Sequence, residues 1–107
     1  MRKIKFRAWD KENEKMMKVS SLHLENKEIS VKENGTFHLF RMQDLMQYTG
    51  IKDKNGKEIY EGDIVILNDA EEENRCIVKY KYGSYILVDG DLREDLSNVE
   101  DRFLEVI

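Results

Sequence analysis

Residues Leu45 to Leu67 read "LMQYTGIKDKNGKEIYEGDIVIL", and the fold turns on how this stretch is understood. It packs Gly50, Asn55-Gly56 and Gly62-Asp63 among charges and apolar pairs, so it reads either as a ligand loop or as a folding signature. Calcium fails on spacing. An EF-hand loop needs oxygen ligands at positions one, three and five, glycine at six and a bidentate Glu at twelve. Counted from Asp53, the glycine falls at four, Lys57 at five and Glu61 at nine. Phosphate fails as well: Gly50, Gly56 and Gly62 match neither a Walker loop nor a dinucleotide fingerprint, and no helix start follows. Tight turns that need positive φ account for these glycines. Leu45 to Thr49 then reads as a strand and Gly50 as a bend. Asn55-Gly56 caps a charged hairpin, and Gly62-Asp63 launches "DIVILND", a strand short and apolar enough to be buried on both sides.

The same logic extends outward in both directions. In "KIKFRAWD", Ile4, Phe6 and Ala8 alternate with Lys5, Arg7 and Trp9, the pattern of a half-buried strand. In "MMKVSSLHLE" the apolar parity slips between Val19 and Leu22, which predicts a bulge at Ser20-Ser21. Asn34-Gly35 between "EISV" and "FHLF" is a hairpin signal, because a type I′ turn needs positive φ at both central residues. "FRMQDLMQ" has helical propensity but is read here as an irregular segment entering a strand. Downstream, "RCIVKYKYGSYILVDG" predicts a hairpin turning at Gly83-Ser84. "DLREDLSNVEDR" spaces Leu92, Leu96 and Val99 as a short helix or a loose loop would, and "FLEVI" closes the chain as a strand.

Short strands and frequent turn signals predict a mostly-β fold with at most one or two short helices. The 107 residues fit one domain, with a seam expected near Gly50. That seam would divide an N-terminal β-meander, 1–49, from an SH3-like small barrel, 50–107, in which a Gly-Asp pair opens a strand as "EGDIV" would.

Charge is abundant, at 37% of residues, and unevenly placed around a net −4. Residues 1–18 carry seven cations against three acids, whereas residues 89–105 carry seven acids against two arginines. A basic arm can meet phosphates. An acidic molecule repels nucleic acid at long range, however, so mutual neutralisation of the two ends, within a chain or between copies, is the preferred reading. No stretch has the length of a membrane span or a signal-peptide core, which leads to the expectation of a cytoplasmic protein.

Chemistry-bearing residues are sparse. Cys76 is the single cysteine, and with Ile77 and Val78 beside it reads as a small core residue. His23, His38 and Cys76 lack metal-site spacing, and no serine sits in a nucleophile elbow. The expectation is no enzyme, no metal and no cofactor. What stands out is aromatic and basic: Lys3, Lys5, Arg7 and Trp9 near the start, Tyr60 in the central stretch, and Tyr80 and Tyr82 astride Lys81. Such a mix serves a subunit interface, or stacks the bases of a single strand. Self-association is the first reading and nucleic acid the alternative, with cross-strand packing of the tyrosines as the plain structural account.

"IKFRAWDKENEKM" and "LMQYTGIKDKNGKEIYEGDIV" resemble the two hallmark segments of YopX family proteins, small proteins of phages and prophages chiefly in Gram-positive bacteria. The terminal "LEVI" resembles the start of that family's closing segment. The resemblance implies an SH3-like barrel topology, oligomeric assembly and a phage or host protein partner. The family's molecular function is not established, so it implies no catalytic or cofactor residue.

Overall fold

The computed structural model describes residues 4–41, 45–68 and 72–107. Lys3, part of "FRMQDLMQ" and part of the acidic loop after Asn68 fall outside them. The described chain is mostly β, with eleven strands and two 3-10 turns, and it divides into two compact units, Ile4–Gln47 and Tyr48–Ile107. The passage from one unit to the next lies inside a strand, between Gln47 and Tyr48, where the sequence placed a seam at Gly50.

The first unit is an antiparallel meander. Strands β1 (Phe6–Asp10), β2 (Lys15–His23), β3 (Glu28–Glu33) and β4 (Thr36–Arg41) follow in order, and the first residues of β5 (Leu45–Lys52) pair with β1 on its other side. Alternation decides which face is inside. Ala8, Met17, Ile29 and Val31 are buried together, with Phe40, Leu45 and Leu22 packed against them. Leu22 reaches that face only because the β2–β3 register shifts between Val19 and Ser21, the bulge foreseen from the parity slip. Asn34 and Gly35 both hold positive φ, 51° and 81°, as a two-residue type I′ connection requires.

In the second unit the rest of β5 pairs with β6 (Glu58–Tyr60), with an irregular register between Tyr48 and Lys52 around Gly50 at φ 87°. Five more strands form a sheet: β7 (Ile64–Asn68), β8 (Glu73–Lys81), β9 (Ser84–Asp89), β10 (Leu92–Asp95) and β11 (Leu104–Val106). Their spatial order is β10-β9-β8-β7-β11, antiparallel throughout, a small barrel-like arrangement of the kind expected for this half. Val65, Cys76, Val78, Leu87, Leu96 and Leu104 line its core, joined by Ile59.

Three expectations need correction. β7 is not buried on both sides: Val65 is fully inside, but Ile64 is 46% exposed, since this antiparallel sheet packs its core on one face only. The β8–β9 turn lies one residue earlier than read, at Tyr82-Gly83, with Lys81 paired to Ser84. Leu92–Asp95 is a strand rather than a helix, because the tight connection through Gly90 and Asp91 locks it in register against Ile86–Asp89. Helical character follows it only as two 3-10 turns, Leu96–Asn98 and Asp101–Phe103. The first is capped by Asp95, which accepts the Ser97 N–H at 2.9 Å.

Candidate interaction surface

The central stretch is a structural device. Asp53 is 3% exposed, and its Oδ1 accepts the backbone N–H groups of Asn55 at 2.8 Å and Lys57 at 2.9 Å. Its Oδ2 accepts the N–H of Val106 on β11 at 3.0 Å. Burial disfavours the charge, but the bonds from Val106, Lys57 and Asn55 outweigh it and hold the carboxyl below its ordinary value. Thr49 Oγ1 donates to the Ile59 carbonyl at 2.7 Å, and Asp63 Oδ2 accepts the Tyr60 N–H at 2.8 Å. The side chains of Thr49, Asp53 and Asp63 are thus engaged with the backbone.

Of the residues singled out at the start of the chain, Arg7 and Trp9 share the outward face of β1, as the alternation predicted, with Ala8 on the inward one. Arg7 lies opposite Lys18 on β2 and Met46 on β5, and Trp9 lies opposite Met16. Lys5 and Arg7 are half-buried and engaged, and Arg7 stands on β1, an interior strand of its sheet. Trp9 and Met16 form an apolar pair on that surface, 36% and 43% exposed.

Below Trp9, Asp10 organises the β1–β2 turn. Its oxygens accept the Asn13 side-chain amide at 2.8 Å and the backbone N–H of Glu12 at 3.0 Å. The Asn13 side chain is the main reason that this carboxyl also sits below its ordinary value. Next to the turn an open cavity of about 300 Å3 has Met17, Ile29 and Phe40 in its lining, with Trp9, Leu39 and Arg41 also around it.

The tyrosines belong to the second unit and do not act alike. Tyr60 is half-buried, its ring 5.5 Å from that of Tyr48. Tyr80 meets Tyr85 edge-on at 5.0 Å across the β8–β9 pair and stays half-exposed. Tyr82 is fully exposed at the tip, at φ 53°, a left-handed conformation that Gly, Asn or Asp occupies at less cost. Lys79 and Lys81 precede it, and no acidic residue occurs from Asn74 to Val88.

Sequence reasoning missed the outward apolar residues. Phe37 and Leu39 on β4, and Ile64 and Ile77 directly opposite each other on β7 and β8, are all exposed. For β4 the signal was available. The Asn34-Gly35 turn pairs Lys32 with Phe37 and Ser30 with Leu39, which sets both on the polar face.

Cys76 is completely buried, and burial raises its thiol pKa, so it is an inert core residue. His23 and His38 are exposed on β2 and β4. Among the described residues, no three His, Cys, Asp or Glu side chains come together as a metal-ligand set. No described helix is long and apolar enough to cross a membrane.

Comparison with known proteins agrees with this architecture. The family model for YopX protein matches residues 5–106. Protein EF1440 from Enterococcus faecalis, a solved structure, is similar at 28% identity and a TM-score of 0.66, over 100% of this chain and 92% of its own. No curated protein matches the chain.

Proposed function

The chain belongs to the YopX family, and from that premise we propose that it is a non-enzymatic accessory protein of a phage or prophage, working in the bacterial cytoplasm by self-association. One observation carries this reading. On the outward face of the second unit's sheet, Ile64, Ile77 and Val88 stand in one cross-strand row. The two isoleucines are 46% and 44% exposed. An apolar row in register, with Arg75, Lys79 and Arg93 around it, marks an interaction face better than scattered exposed leucines do. The charge asymmetry between the chain's ends adds a means of orienting copies. Multi-angle light scattering over a concentration series, at low and high salt, tests it. A mass above the 12.7 kDa of the single chain supports the reading, and a monomer under every condition overturns it.

A second reading, contact with single-stranded nucleic acid, is favoured by the β8–β9 tip. There, Tyr82 is exposed next to Lys81, with Lys79 two residues before that, in an acid-free stretch. Base stacking on a tyrosine, aided by two lysines, is how such contacts form. Fluorescent oligonucleotides titrated at low salt would bind the wild type and bind Tyr82→Ala more weakly. No binding at low salt, where phosphate attraction is strongest, sinks this reading.

A further inference from the structure

Every sheet edge exposes backbone donors and acceptors, and proteins blunt such edges with shortness, charge, proline or bulges. Most described edges here follow that rule. β6 and β11 have three residues each, and β10 has four, of which Arg93, Glu94 and Asp95 are charged. β4 does not follow it. It runs six residues as "TFHLFR", with one formal charge and no bulge against β3, and β3 is its one described neighbour.

The turn fixes which of its groups are free. In a two-residue hairpin the residues flanking the turn exchange both hydrogen bonds, and this alternates along the ladder. Glu33 and Thr36 flank Asn34-Gly35, so Thr36, His38 and Phe40 bond to β3. Phe37, Leu39 and Arg41 therefore direct their N–H and C=O groups away from it. The side chains of Phe37 and Leu39 are also 61% and 63% exposed, so backbone and side chain are open at the same positions.

We propose that β4 is a self-pairing edge, at which two copies join antiparallel about a twofold axis through Leu39. This rests on the self-association reading above and names one surface that carries it. Only registers that set outward-directed residues opposite one another form hydrogen bonds. With Leu39 on the axis all three take part: Leu39 meets the second copy's Leu39, and Phe37 and Arg41 meet the second copy's Arg41 and Phe37. Charge agrees with this. Arg41 lies directly opposite Glu28 on β3, and the twofold sets it against a phenylalanine and not against another arginine. A twofold through Leu39 makes the contact reciprocal, the arrangement of an isologous interface, and sets the Phe37 and Leu39 side chains of both copies on the same outward face.

Cysteine cross-linking and proline blocking test the proposal on the full chain. Leu39→Cys should form a disulfide-linked dimer on mild oxidation, since the axis brings the two sulfurs together, whereas His38→Cys should not. Cys76 is buried and gives no background. Leu39→Pro removes an N–H that β3 does not use, so it should fold normally yet lose the pairing, lowering the scattering mass about twofold. Should that variant fold poorly, Leu39→Lys gives the same readout by placing like charges on the axis. An oligomeric wild type whose mass survives these substitutions, or a Leu39→Cys chain that cross-links no better than His38→Cys, overturns the β4 assignment and leaves self-association standing. Retention of dimers linked through Leu39 only when another protein is added would assign the edge to a foreign strand, and overturns it too. A wild type monomeric throughout removes both readings.

Discussion

Asp53 and Val106 stand fifty-three positions apart in sequence, and the carboxylate of the first accepts the backbone N–H of the second at 3.0 Å. The same carboxylate holds the Asn55 and Lys57 N–H groups, so one buried side chain closes the "DKNGK" turn and anchors the last strand to it. Lys54 N–H adds a bond to the Leu104 carbonyl at 2.9 Å. Asp53→Ala would leave three backbone donors seeking partners in a largely buried place. A loss of about 2–4 kcal/mol is expected in urea or thermal unfolding. A loss under about 0.5 kcal/mol would show that water replaces the carboxylate without penalty.

Acid should expose the same device. Asp53 has a folded-state pKa below its ordinary value, so in the acid range the unfolded chain binds the proton more readily. Its contribution is complete above the ordinary carboxylate value of about 4. It fades as pH falls through that value and on through the lower folded one. Asp10 and Asp95 are lowered too, through the Asn13 and Ser97 side chains respectively, and titrate in the same direction. Stability measured from pH 6 to pH 2 should therefore fall, and less steeply in Asp53→Asn, where the group cannot titrate. Parallel curves for the two proteins would contradict this assignment.

Much of the fold is legible locally, and the exceptions share a cause. Asn34-Gly35 announces its turn because few residue pairs accept positive φ twice, and the Ser20-Ser21 bulge shows as a break in alternation. Leu92, Leu96 and Val99 kept a helix-compatible spacing that was decided otherwise by the ladder to β9, a partner the segment itself does not reveal. Ile64 misled for a similar reason, as an apolar strand does not state whether a second layer covers it. The candidate surface was harder still. Trp9, Tyr80 and Tyr82 were singled out by residue type, whereas β4 stands out only because of what lies on one side of it and not the other. Topology, not composition, makes an edge.

The two faces of β8 permit a controlled comparison. Leu87, opposite Val78, is fully buried in the second unit's core, so Leu87→Ala should cost about 2–5 kcal/mol by leaving a cavity. Ile77 is on the other face and 44% exposed. Ile77→Lys should change monomer stability by less than about 1 kcal/mol while weakening self-association, because it sets a charge in the Ile64–Val88 row. Unfolding curves and light scattering on the same samples separate the effects. Equal destabilisation by both substitutions would mean that the Ile77 face is packed within the chain.

Tyr82 is where stability and use are predicted to conflict. At φ 53° a side chain with a Cβ is strained by roughly 1 kcal/mol, and full exposure returns nothing through packing. Asn34, at φ 51° in the other Asn/Tyr-Gly turn, shows the residue that this geometry prefers. Tyr82→Asn should therefore raise unfolding stability by about 1 kcal/mol, an uncommon direction for a substitution. A tyrosine that relieves no strain and fills no core is a candidate for work outside the chain, on the nucleic-acid reading as a stacking platform. The same variant should then lose low-salt oligonucleotide binding as it gains stability. Gain without loss would mark Tyr82 as strained but idle; destabilisation would mean that its ring does support the hairpin, against the exposure seen here.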